Sequence, residues 1–455
     1  MRVAFHTLGC KVNHYETEAI REAFVSRGAV SVGEEDPADV YIINTCTVTN
    51  IADRKSRQYI RRVKRVNPDA LIVVTGCYAQ VEPDEVASLP EVDMVIGNGL
   101  KSRICDMVFA KLAGTGSTEA QTDKLVMPRN ELTEYENMGM VASSEPGMTR
   151  AYIKIQEGCD RFCSYCLIPF ARGPVRSRMP EEIVSETQML LDSGVREIVL
   201  TGINTALYGT EEGFDINLTD EERREGLTPM EAILARLDAI AMPEGDDFRI
   251  RLSSLEPTVV DKDHVEKIIR HRRLCHHLHL SVQNGSDKIL RSMNRHYTRD
   301  EYLDIVKAIR EFDPLYGITT DIIVGFPGED EADFEDTLDI VRKSEFGKVH
   351  VFRYSPRKGT VGEKLPDVVS GELKNERSDR LETEAIRTSE EFRRKNFGRM
   401  HKVLTEEIQD GYMTGYTDNY IKVYIPDPEG RLEPGMFVDV QLTDIYKEGC
   451  IAKLN

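Results

Sequence analysis

The apolar and polar positions of this chain fall into two successive strand–helix alternations and a closing run of short strands. Apolar, β-branched stretches of strand length occur at residues 2–8, 39–45 and 70–75, with helical periodicity between them at 15–26 and about 54–66. That order predicts a parallel sheet with right-handed crossovers. Residues 113–148 have no clear period and many Gly, Ser, Thr and Glu, which reads as a linker. A second alternation places strand-like runs at 151–156, 197–201, 249–253, 277–282, 317–324 and 348–352, with helical patterns such as 180–193, 298–311 and 330–343. Six such units predict a partial (β/α)6 barrel whose chemistry lies at the C-terminal strand ends. Residues 371–397 read as a charged connecting helix. Short strands at 402–408, 411–417, 420–425 and 436–442, punctuated by glycines, predict a small β-barrel of the oligonucleotide-binding sort. The expected class is therefore α/β. An N-terminal parallel α/β domain spans 1–112, a linker 113–148, the barrel core 149–370, the connecting helix 371–397 and the small β-barrel 398–455.

Composition restricts the options. With 455 residues, 40% of them apolar and 30% charged, the chain has too much hydrophobic content for disorder. No stretch approaches the roughly 18–20 uninterrupted apolar residues of a membrane helix, so no membrane role is expected. The start runs straight into a strand-like segment without a basic-then-apolar leader, and nine cysteines fit a reducing cytoplasm.

The formal charge of −19 argues at first against a nucleic-acid partner, but it is unevenly placed. Residues 210–228 hold seven acidic and two basic side chains and read as a solvated loop with no assignable role. Residues 329–339 hold seven acidic and none basic and read as a helix N-terminus. Elsewhere, Arg54, Arg57, Arg61 and Arg65 are spaced by three, four and four residues, one positive stripe on a helix that can take RNA phosphates or be a solvated face. Arg172, Arg176 and Arg178 can likewise take phosphates or be ordinary surface charge. From 391 to 455 there are nine basic and eleven acidic residues, so the small barrel lacks the basic footprint of an RNA grip.

The cysteines carry the chemistry. Cys159, Cys163 and Cys166 follow a predicted strand in the spacing CxxxCxxC, and three thiolates within eight residues can wrap one compact soft-metal centre. Structural zinc is the alternative, but it wants four ligands and no fourth Cys or His lies nearby. A cluster of four irons held by three thiolates leaves one iron open for a substrate. Cys10, Cys46 and Cys77 each closely follow one of the three N-terminal strands, so a parallel sheet would bring all three thiols to its carboxyl edge. A buried cysteine is ordinarily a small hydrophobe, yet three at one topological position read as a second three-ligand cluster site. Cys105, Cys275 and Cys450 read as structural. His276, His277 and His279, without a spaced partner, read as ordinary strand residues.

With these features the chain resembles the radical S-adenosylmethionine (SAM) methylthiotransferases over essentially its whole length. The N-terminal segment resembles their methylthiotransferase domain, the core their radical SAM barrel and the tail their RNA-binding TRAM barrel. The wording TLGCKVNHYE at 7–16, NTCTVT at 44–49 and YSPRKGT at 354–360 is most like the branch acting on N6-threonylcarbamoyladenosine in tRNA.

The resemblance implies two [4Fe–4S] clusters and SAM as both radical source and methyl donor. Cys159, Cys163 and Cys166 would hold the cluster whose one-electron reduction cleaves SAM to a 5′-deoxyadenosyl radical. Cys10, Cys46 and Cys77 would hold an auxiliary cluster carrying the sulfur, which a second SAM methylates. The product is 2-methylthio-N6-threonylcarbamoyladenosine at position 37, beside the anticodon. By place at barrel strand ends, Gly202, Asn204, Ser254, Glu256, Gln283 and Asp321 are candidates for SAM contacts. The implied partners are tRNA, a one-electron reductant of the flavodoxin or ferredoxin type, and a sulfur donor. Open alternatives are methylthiolation of isopentenyladenosine-37 or of a ribosomal-protein aspartate, and a non-catalytic iron–sulfur or zinc RNA-binding protein.

Overall fold

The computed structural model describes residues 1–47, 49–114, 122–140, 148–257, 261–427 and 429–455. Val48, within the 44–49 wording, and residues 115–121 and 141–147 of the expected linker lie outside the described residues. The chain forms two compact units. One comprises residues 1–143 with 154–178 and 357–363; the other comprises 144–153, 179–356 and 364–455.

The first unit is built on an all-parallel sheet in the order Val30–Val32, Arg2–Thr7, Val40–Thr45, Leu71–Gly76, Met94–Ile96, Asp123–Leu125. Val40–Thr45 and Leu71–Gly76 are buried at every position, which is why they read as continuous apolar runs instead of alternating ones. On one face Tyr59, Ile60 and Val63 of the helix Asn50–Val66 pack against Tyr41, Ile43 and Val74. On the other, Ile20 and Phe24 of Lys11–Ser26 and Val108 of Ile104–Leu112 pack against Val3, Phe5 and Ile42.

Three strands of this sheet have only three residues each, too few to show a period. One of them, Asp123–Leu125, lies inside the stretch expected to be a linker and pairs in parallel with Met94–Ile96. The segment bearing CxxxCxxC belongs to this same unit. It is closed at its base by Gln156–Glu157 pairing antiparallel with Arg176–Ser177.

In the second unit the six expected core strands are present, with parallel pairing of Glu197–Thr201 with Arg249–Leu252 and throughout the ladder from Ser254–Leu255 to Lys348–Arg353. Arg249–Leu252, Glu197–Thr201 and Arg150–Lys154 form one ladder; Ser254–Leu255, His277–Leu280, Gly317–Val324 and Lys348–Arg353 form the next, with Ser253 alone separating the two. The connecting helix is Gly371–Lys395. The tail is a closed barrel of five strands: Met400–Gln409, Tyr412–Thr417, Lys422–Pro426, Gly449–Leu454 and Phe437–Tyr446. Gly449–Leu454 was not among the four expected strands; its pairing with both Phe437–Tyr446 and Lys422–Pro426 is part of the closure.

The two acidic segments behave differently from free surface charge. The expected loop at 210–228 contains a helix, Asp220–Glu225, because Thr219 and Glu222 form a capping box. Glu222 is also tied to Arg236 at 2.8 and 2.9 Å, and this pair, offset by partial burial, brings its pKa down to about 2. The segment 329–339 does open a helix, Glu331–Ser344, capped by Asp330. Its carboxylates face Lys288, Arg299, Arg377 and Arg380. Among the described residues, no helix is long and apolar enough to cross a membrane.

Candidate functional site

Cys10 follows the strand Arg2–Thr7 and opens the helix Lys11–Ser26; Cys46 follows Val40–Thr45; Cys77 begins the helix Cys77–Val81 directly after Leu71–Gly76. These three strands are adjacent and parallel, so the thiols arrive at one carboxyl edge. Two glycines allow the approach. Gly76 has φ +97°, and a Cβ there would stand 2.3 Å from the Thr45 carbonyl oxygen; one on Gly9 would stand 3.0 Å from the Cys46 Cβ. Asn13 ties the two strand ends together, donating to the Leu8 carbonyl at 2.8 Å and the Thr45 carbonyl at 3.1 Å. Cys46 and Cys77 are buried and Cys10 is exposed.

The CxxxCxxC loop leaves its strand through Gly158, where a Cβ would overlap the Pro174 carbonyl oxygen at 1.7 Å. The Cys159 N–H donates to the Gly173 carbonyl at 3.1 Å and the Cys166 N–H to the Cys163 carbonyl at 2.9 Å. The Ile168 N–H, which opens the short helix Ile168–Arg172, donates to Cys166 Sγ at 3.4 Å. All three thiols are half-buried.

Among the described residues, no group of three or more His, Cys, Asp or Glu side chains stands as a site for a single metal ion. The donor set is nonetheless thiol-only in both triads, which suits iron–sulfur ligation, and in each a sulfur already accepts an N–H bond of the kind that supports such a group.

A buried charge cluster lies beside the first triad. Glu16 accepts from Lys101, from Lys154 at 3.2 Å and from Arg172 at 2.5 Å; Glu157 accepts from Lys154 at 2.9 Å and Arg172 at 2.6 Å. Burial pushes the Glu16 carboxyl up, but the Arg172, Lys101 and Lys154 cations outweigh it and hold it well below the usual carboxylate range. For Glu157 burial is again opposed, by Lys154 and Arg172, and its pKa falls to about 2.

Sequence reasoning did not single out Glu16, Lys101, Lys154 or Glu157. The available signal was charge inside apolar-periodic elements, Lys154 and Glu157 in the strand run before Cys159 above all. Arg357 was also missed as a site residue. It lies buried against Asp53, Thr47 and Asn50 and helps line a recess of about 300 Å³ with Arg57, Glu82, Leu167 and Lys358.

The three arginines after the cysteine loop require a correction. Arg172, Arg176 and Arg178 are buried. Arg172 is spent on Glu16 and Glu157, Arg176 donates to the Leu132 carbonyl at 3.1 Å and the Arg172 carbonyl at 2.6 Å, and Arg178 meets the Tyr15 hydroxyl at 3.3 Å. Enclosed in this way, they are not phosphate contacts. In the helix Asn50–Val66, by contrast, Arg54, Arg61 and Arg65 are exposed, whereas Arg57 is held by the Tyr78 hydroxyl at 2.7 Å and Glu85 at 2.9 Å.

In the second unit the strand-end candidates fall into two groups. Asn204 Nδ2 donates to Glu256 at 2.8 Å, Glu256 also meets Arg295 at 2.6 Å, and the Ser254 carbonyl accepts from Thr205; Gly202 is half-buried nearby in sequence. Gln283, at φ +64°, bonds through its backbone to the Asp321 carbonyl and the Ile323 N–H. Asp321 faces His279 at 3.2 Å and Ser281 at 3.4 Å. Burial raises its pKa, and His279 with neighbouring His350 and Ser281 brings it below the ordinary value. His277 and His279 both bond to the Thr319 hydroxyl at 3.0 Å.

Comparison with known proteins places this architecture. Residues 2–97 match the uncharacterized protein family UPF0004 and residues 153–341 the radical SAM superfamily. The chain is 39% identical over 98% of its length, and 95% of the relative's, to the threonylcarbamoyladenosine tRNA methylthiotransferase MtaB of Bacillus subtilis. The chain belongs to the radical SAM tRNA methylthiotransferase family. The Aquifex aeolicus MtaB is 38% identical over 97% of this chain and all of its own. A tRNA-2-methylthio-N(6)-dimethylallyladenosine synthase of Caldicellulosiruptor saccharolyticus is 34% identical, covering 97% of this chain and 87% of its own. Among solved structures, the radical S-adenosylmethionine methyltransferase TsrM of Kitasatospora setae shares the fold at TM-score 0.56 and 14% identity, over 77% of this chain and 72% of its own. A radical SAM methylthiotransferase requires SAM and [4Fe–4S] clusters.

Proposed function

We propose that this chain inserts a methylthio group at C2 of N6-threonylcarbamoyladenosine-37 in tRNA. The observation that carries the reading is full-length likeness, at 35–39% identity, to four threonylcarbamoyladenosine tRNA methylthiotransferases. Cys159, Cys163 and Cys166 hold the SAM-binding cluster, and Cys10, Cys46 and Cys77 hold the auxiliary one. When bound, such clusters supply the electron that cleaves SAM and an open iron that carries the sulfur.

The chain's own residues position and enclose. Gly76 and Gly158 let the ligand loops approach their neighbouring backbone, and the Ile168 N–H supports Cys166. Asn204 and Glu256, with Gly202 and Ser254, and Gln283 with Asp321, are the strand-end groups proposed for SAM. Arg54, Arg61 and Arg65 offer exposed cations to tRNA phosphates, with Arg57 beside them already engaged. An external one-electron reductant of the flavodoxin or ferredoxin type and a sulfur donor complete the reaction, in the cytoplasm.

Anaerobic reconstitution tests the reading: about eight irons per chain and reductive cleavage of SAM to 5′-deoxyadenosine are expected. Iron for one cluster alone, or zinc without SAM cleavage, would reject it.

A further inference from the structure

The five-residue helix Ile168–Arg172 touches a thiol of each triad. At its first residue a backbone N–H meets Cys166 Sγ; at its last, Arg172 Nε donates to Cys77 Sγ at 3.4 Å. Arg172 is fully buried, so no solvent competes for that bond. Its other nitrogens are committed to Glu16, Glu157 and the Asn13 side chain, which also bridges the strand ends behind Cys10 and Cys46. The guanidinium is therefore fixed in orientation as well as in place.

The charges around it do not cancel. Arg172, Lys101, Lys154 and, at 3.8 Å from Glu157, Arg176 are four cations around two carboxylates, Glu16 and Glu157, so positive charge is in excess among these groups. A buried surplus of that kind is costly unless an anion faces it. The thiol that Arg172 touches is the group placed to become anionic, and three thiolates around a four-iron core supply such an anion.

We propose that Arg172 is a positioning residue of the auxiliary site, whose N–H bond to Cys77 Sγ sets the reduction potential of the iron–sulfur group held there. The proposal rests on the reading that Cys10, Cys46 and Cys77 hold a cluster. Reduction adds negative charge to a thiolate-bound cluster. A fixed cation donating to a ligand sulfur stabilises the reduced form more than the oxidised one and raises the potential. Lysine offers a point charge but not a planar fork, and cannot serve Glu16, Glu157, Asn13 and the sulfur together.

The test uses the full chain with Cys159→Ala, Cys163→Ala and Cys166→Ala, reconstituted anaerobically so that only the auxiliary triad can load. About four irons per chain are expected; a chain that loads none overturns the cluster reading and the proposal with it. In the loaded protein, an EPR-monitored titration should give a lower midpoint potential for Arg172→Met than for the parent, with Arg172→Lys between them. The parent labelled with nitrogen-15 arginine should show a nitrogen-15 coupling in pulsed EPR of the reduced cluster, and Arg172→Lys should lose it. This second readout needs only the parent to fold and load. An iron-loaded Arg172→Met with unchanged potential, or a reduced parent without the coupling, would overturn the role of Arg172 and leave the cluster reading standing.

Discussion

Arg357 Nη2 lies 2.6 Å from Asp53 Oδ2, a buried ion pair between residues 304 positions apart in the sequence. The same guanidinium donates to the Thr47 hydroxyl at 2.6 Å and to Asn50, so a residue of the YSPRKGT wording ties Thr47 to the first residue of the helix Asn50–Val66. Removing one partner of a buried pair costs about 3–5 kcal/mol, because the other charge is left uncompensated. Arg357→Met is therefore expected to lower stability by that order and to speed hydrogen exchange in 44–66. Unchanged exchange there would show that Arg357 does not hold the start of this helix.

Glu197 is surrounded by Arg150 at 2.6 Å, Arg249 at 2.5 Å and Arg251 at 3.1 Å, and Arg249 and Arg251 also donate to carbonyls of Tyr416 and Asp418 in the small barrel. Burial pushes the Glu197 carboxyl up, but the three guanidiniums prevail and hold it well below the ordinary range. A depressed folded pKa stabilises above the unfolded pKa and ceases to do so as pH falls through the folded one. Glu197→Gln should therefore destabilise by roughly 3–5 kcal/mol at neutral pH. The gap to wild type, read from denaturation midpoints, should hold from pH 7 to about 5 and close only below about pH 4.3. A gap that widens on acidification would contradict this.

Much of the fold was legible because the elements that matter are long or fully buried. Val40–Thr45 and Leu71–Gly76 read as strands since both faces are covered, and with Arg2–Thr7 they placed Cys10, Cys46 and Cys77 at one edge. The missed strands, Val30–Val32, Met94–Ile96 and Asp123–Leu125, are too short for periodicity to register. The arginines after the cysteine loop misled for a different reason. In sequence, a buried Arg172 and an exposed Arg61 look alike; what separates them is Glu16, 156 residues from Arg172. The acidic loop at 210–228 likewise folds through Arg236, which no local pattern links to Glu222.

Exposed Arg54, Arg61 and Arg65 define the tRNA prediction, in place of the engaged Arg57. Changing all three to Glu should weaken tRNA binding and make it less salt-dependent, the log–log slope falling by about 0.7–0.9 for each phosphate no longer neutralised. Filter binding across a salt series reads both quantities; unchanged affinity and slope would return this helix to an ordinary solvated face.

The two triads should separate by substitution. Cys10→Ala is expected to spare SAM cleavage and abolish sulfur insertion, whereas Cys159→Ala abolishes both. Assays of 5′-deoxyadenosine and of methylthiolated nucleoside on the same reconstituted samples make the comparison. Equal loss of SAM cleavage in the two variants would refute the division of roles.

Nucleoside mass spectrometry of tRNA from cells with and without this gene tests the central claim most directly. Loss of 2-methylthio-N6-threonylcarbamoyladenosine, accumulation of its unthiolated precursor and recovery with the restored gene are the predicted result. Unchanged nucleosides, or loss of the methylthio group from isopentenyladenosine instead, would contradict it.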